Sequence, residues 1–143
     1  MTASKPRGRP PALPAIVLSR QDFDALDRLV GDLPGTGPAG LLQQELDRAE
    51  VCETADLPHD VVTLNRWLHY ADDRHPEVRR VQLVLPREAD IDAGRVSVLS
   101  HVGAGLIGLK EGQSILWPDP SGETRKLTPI LIEDPDPIES IAH

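Results

Sequence analysis

The chain has 143 residues, 39% of them hydrophobic and 3% aromatic, with a formal net charge of -8 at pH 7; that length fits one domain with a small appendage and a real core. Lys5, Arg7 and Arg9 sit in a leading stretch without acids, so the rest is more acidic still, which argues against a protein that coats nucleic acid and for one that faces a basic protein surface. The lone Cys52 excludes an internal disulfide, and the apolar stretches, of which Val102 to Leu109 is the longest, are too short for a signal peptide or for the roughly 20 residues that cross a bilayer, so the expectation is a cytoplasmic protein with no membrane partner.

Residues 1–15, rich in proline and cations, predict a disordered basic arm. Residues 16–54 predict a short antiparallel helical hairpin. Ser19-Arg20-Gln21-Asp22 has capping-box spacing, with Asp in place of the usual Glu, and opens a helix that turns Phe23, Leu26, Leu29 and Val30 to one side and ends at Gly31. Leu33 to Pro38 is dense in breakers, and Pro38 suits the first turn of a second helix carrying Leu42, Leu46 and Ala49. Helices of about 12 residues are about 18 Å long and depend on the following domain for stability.

From Val61 the period becomes extended. Val61 to Tyr70 and Val78 to Leu85 predict a strand hairpin around Asp72 to Pro76, followed by strands at Arg95–Leu99, Gln113–Trp117 and Thr124–Ile132. Pro129 marks an irregular or edge position in the last. Residues 55–133 therefore predict an α+β body, a largely antiparallel sheet with one short helix crossing between its third and fourth strands. Residues 134–143 are acidic and proline-punctuated and predict a flexible tail.

Gly103-Ala104-Gly105-Leu106-Ile107-Gly108 spells GxGxxG, the spacing of a dinucleotide-binding turn. That turn needs a long helix and a second βαβ half. Here Lys110 to Gln113 ends the apolar stretch after about two turns, so the glycines predict helix packing and a left-handed cap at Gly108. His69, Asp72, Asp73 and His75 fall on one polar turn and predict a solvated turn with no metal. Cys52 lacks a CxxC partner, and adjacent Ser100 and His101 have no third member of a triad, so no catalytic residue and no cofactor is expected.

Three segments carry a resemblance: Glu45 to Ala49, Leu57 to Asn65, and Ser100 to Gly112. In order and spacing they resemble the regulator of nucleoside diphosphate kinase (Rnk) family, related to the Gre transcript-cleavage factors through a C-terminal domain of FKBP-like fold behind a helical hairpin. The resemblance implies binding of bacterial RNA polymerase at the rim of its secondary channel. It places the polymerase-binding surface at Ser100, His101 and Val102, with His101 standing where related factors carry proline and Gln113 where they carry Asp. In Gre factors acids at the hairpin tip help hold a catalytic Mg²⁺. Here Asp32 is the sole acid between Gly31 and Pro38, and one carboxylate competes poorly with water for a hard cation. The implied activity is a rim binder that does not stimulate cleavage and competes with factors that do.

Two other readings compete with this one. Arg7-Gly8-Arg9-Pro10 resembles a single AT-hook, in which Arg7 and Arg9 would enter a narrow minor groove; one copy supplies weak DNA contact at most, and a solubilising arm is the preferred reading. A prolyl isomerase would need several aromatics around a proline ring, and the body offers only Tyr70, Trp67 and Trp117. Nothing in the residues indicates direct binding to nucleoside diphosphate kinase.

Overall fold

A computed structural model describes residues 14–119 and 121–134. The elements run β1 (Val17–Ser19), α1 (Arg20–Gly31), α2 (Gly37–Arg48), β2 (Glu50–Cys52), β3 (Trp67–Asp72), β4 (Arg79–Val84), β5 (Arg95–Ser97), α3 (His101–Leu106), β6 (Ile115–Pro118) and β7 (Thr124–Ile132). The result is an α+β fold with the two longer helices N-terminal to the main sheet.

Ser19 caps α1: its hydroxyl accepts the Asp22 N–H at 3.0 Å. Only this half of the expected box forms. The shorter Asp22 carboxylate accepts the Leu64 N–H at 3.1 Å instead, fastening α1 to the segment that enters the main sheet. Leu26 and Val30 of α1 and Leu42 and Leu46 of α2 are buried in the same core as Leu68, Leu83, Leu106 and Leu127. The hairpin therefore shares one apolar interior with the sheet, which is where short helices gain most of their stability.

Two three-residue strands not expected from the sequence bracket this hairpin. β1 and β2 pair in parallel, with Val17 opposite Glu50 and Ser19 opposite Cys52. The Val17 N–H also bonds to the Gly108 carbonyl at 3.1 Å.

The main sheet has the order β5-β4-β3-β7-β6 and is antiparallel except for the β4–β5 pair, which is parallel. Its first strand starts at Trp67, not Val61. Val61 and Val62 are consumed elsewhere: the Val62 N–H bonds to the Leu109 carbonyl at 2.8 Å and the Gly108 N–H to the Val62 carbonyl at 3.0 Å. Asn65, in the left-handed region at φ 70°, then turns the chain into β3. Pro129 occupies an irregular position rather than an edge, because β7 lies between β3 and β6. Its missing N–H is accommodated where the register slips, with Leu131 opposite His69 and Pro129 opposite Tyr70.

Candidate functional site

The turn into α3 is built by two serines. The Ser100 hydroxyl donates to the Ser97 carbonyl at 2.7 Å and accepts the Gly103 N–H at 2.9 Å, while the Leu99 N–H bonds to the Ser97 hydroxyl at 2.9 Å. Ser100 is thus the N-cap of α3, its hydroxyl committed to shaping the turn. His101 and Val102 form the first turn and are half-buried. The structure brings Ser100, His101 and Val102 together as one surface step at the start of a six-residue helix.

Sequence reasoning missed the residue that holds this step. Trp117 on β6 is buried and donates its indole N–H to the His101 carbonyl at 2.7 Å. The signal was available, since a buried tryptophan requires an acceptor, but its partner is 16 residues away.

The glycines explain how close the helix comes. A methyl at Gly103 would lie 2.3 Å from the Ser97 carbonyl oxygen, and one at Gly105 would lie 2.9 Å from the Trp117 ring. Gly108 has φ +82°, and a methyl there would meet Ile16 at 2.9 Å. The first two spacings admit the backbone against its neighbours, and the third reverses the chain after the helix.

At the hairpin tip Asp32 is exposed and follows the last turn of α1, its N–H bonded to the Val30 carbonyl. Among the described residues no three His, Cys, Asp or Glu side chains are grouped to hold a metal ion. The polar turn after β3 is less solvated than expected. Asp72 is buried and takes Arg125 at 2.6 Å, and Asp73 accepts the Lys126 N–H at 2.9 Å. His69 contacts Glu133 at 2.8 Å. Two hydrogen bonds from the Arg80 guanidinium, aided by His69, hold the Glu133 carboxyl far below the usual range, at about 2. Arg80 also lies over the Trp67 ring, 4.1 Å from its centroid.

Trp117, Tyr70 and Trp67 are therefore packed or covered. Two open cavities, of about 460 Å³ and about 430 Å³, have no aromatic lining. Arg7 and Arg9 lie outside the described residues. No helix among the described residues is long and apolar enough to cross a membrane.

Residues 14–51 match the family model described as the Rnk N-terminus, and residues 57–134 match the C-terminal domain of the transcription elongation factors GreA/GreB. The regulator of nucleoside diphosphate kinase from Escherichia coli K12 is 35% identical over 122 residues, 84% of this chain and 90% of the relative. The chain belongs to the Rnk family. As an Rnk-family protein it is also similar to GreA: the Azorhizobium caulinodans factor is 37% identical over 81 residues, 57% of this chain and 52% of that one. The solved structure of a prokaryotic GreA/GreB elongation factor from Nitrosomonas europaea aligns with TM-score 0.66 and 31% identity, covering 85% of this chain and 99% of the other.

Proposed function

We propose that this Rnk-family protein is a noncatalytic regulator of transcription elongation that binds bacterial RNA polymerase at the rim of its secondary channel. The observation that carries the reading is the joint match: a GreA/GreB C-terminal domain behind an Rnk N-terminus, extending over nearly all the described residues. In this reading residues 55–133 form an FKBP-like docking body and residues 16–54 a hairpin that rests at the channel mouth. His101 and Val102 touch polymerase, and Ser100 fixes their backbone.

The tip supports binding without stimulation of cleavage. α1 and α2 have 12 residues each, hence a length of about 18 Å, and Asp32 is the lone acid between Gly31 and Pro38. A hard cation shared with the polymerase would need more carboxylate oxygens than this. Occupancy of the rim then excludes Gre factors, and any influence on nucleoside diphosphate kinase runs through transcription rather than contact. The cytoplasm is the compartment such a partner requires.

Native gel electrophoresis of the protein with bacterial core polymerase tests this. The expected result is a co-migrating complex displaced by a Gre factor, with no shortening of transcripts in backtracked complexes. No complex at micromolar concentrations overturns the binding claim; protein-dependent shortening overturns the claim about cleavage.

A further inference from the structure

Eight of the ten arginines among the described residues have a side-chain hydrogen bond or ion pair. The two without one, Arg28 and Arg87, line the same groove, a cavity of about 430 Å³ completed by Ala25, Leu29, Leu85 and Pro86. One wall is α1, and the other is the turn that follows β4. Leu29 and Leu85 are only half-buried, so an apolar floor lies between two guanidinium groups that have no partner among the described residues, in a chain of net charge -8. Such a groove fits an acidic segment that also carries aliphatic side chains.

The sequence beyond Asp134 has that chemistry. Pro135-Asp136-Pro137-Ile138-Glu139-Ser140-Ile141 places two acids and two isoleucines within six residues, from 136 to 141. Its point of departure is linked to both walls of the groove by a short series of contacts. The Arg66 Nε donates to the Glu133 carbonyl at 2.8 Å, and an Arg66 Nη lies 4.0 Å from Asp134. Two residues earlier Leu64 bonds to Asp22, one turn before Ala25 on α1. The Asn65 N–H bonds to the Leu83 carbonyl at 2.7 Å, two residues before Leu85. Two to seven residues at about 3.3 Å each carry positions 136 to 141 up to about 7 to 23 Å from Asp134.

We propose that the 136–141 segment of the same chain occupies this groove, with Ile138 and Ile141 on Leu29 and Leu85, and Asp136 and Glu139 on Arg28 and Arg87. The docking is intramolecular, so a weak contact is populated through its high effective concentration.

Nuclear Overhauser contacts between methyl groups of the full chain test this, with Ile138 and Ile141 observed against Leu29 and Leu85. The contacts are expected and are independent of protein concentration. Arg28→Glu with Arg87→Glu should lower the docked fraction about tenfold, since two exposed attractions become repulsions. Adding Asp136→Arg with Glu139→Arg should restore it. Absence of the contacts in the unsubstituted chain overturns the proposal. Contacts that appear only as concentration rises also overturn it and assign the groove to a second copy.

Discussion

The Asp22 carboxylate on α1 accepts the backbone N–H of Leu64 at 3.1 Å across 42 residues of sequence, and this bond joins the hairpin to the sheet-bearing body. Burial raises the Asp22 pKa above 3.8, against the opposing hydrogen bond from Leu64. A raised folded-state pKa favours the fold fully below 3.8, and that contribution is lost as pH rises through the folded value. At pH 7 the bond is useful and the charge is not.

Asp22→Ala, which leaves the Leu64 N–H unpaired, should therefore cost about 1–2 kcal/mol. Asp22→Asn keeps an acceptor without the charge and should match or exceed the parent at neutral pH, its relative advantage growing as pH rises from 3.8. Urea unfolding at several pH values measures both. Equal damage from the two substitutions would show that the charge itself is needed.

Glu133 behaves in the opposite sense. Its carboxyl drops from 4.5 to about 2, so its contribution is complete above 4.5 and is lost as pH falls towards 2. Glu133→Gln should lose less stability than the parent across that interval, by a modest amount because the group meets solvent. Thermal unfolding between pH 5 and pH 2 provides the check, and identical acid limbs would refute it.

Trp117→Phe keeps a ring against Gly105 but removes the donor to the His101 carbonyl. A loss of about 1 kcal/mol is expected, together with faster amide exchange in the first turn of α3. If polymerase reads that turn, affinity should fall by more than for Leu116→Ala, a change on the exposed side of the same strand. Equal affinities would remove the turn from the docking surface.

Gly108 and Gly112 separate strain from crowding. Both have φ +82°, yet a methyl at Gly108 meets Ile16 at 2.9 Å, whereas one at Gly112 meets nothing within 4 Å. Gly112→Ala should cost about 1 kcal/mol from backbone strain, and Gly108→Ala about 1–3 kcal/mol more from overpacking. Matching unfolding midpoints for the two variants would mean that Ile16 moves aside freely.

The helices were legible because their periodicity and breakers are local: Ser19, Gly31 and Pro38 mark boundaries without help from distant residues. The strands were legible where alternation ran for several residues, as in β4 and β7. Pairing was not. Nothing in Val61-Val62 reveals that these residues bond to the end of α3 rather than continue into β3, and Arg95–Ser97 does not disclose its parallel partner. At the candidate site Ser100 was proposed from its family pattern, and the structure shows it as the N-cap of α3. Trp117 was missed because its role depends on a carbonyl brought near by packing.

The β1–β2 pair closes the base of the hairpin where the chain enters and leaves it, and the Val17 bond to Gly108 fastens that closure to the end of α3. Length is thereby uncoupled from attachment. Helical turns could be added in matched pairs near residues 31–37 while the closure and the shared core stayed as they are, so reach becomes adjustable independently of the body. A graded series of such hairpins on this one body would act as a molecular ruler for the depth of any cavity into which the tip is placed.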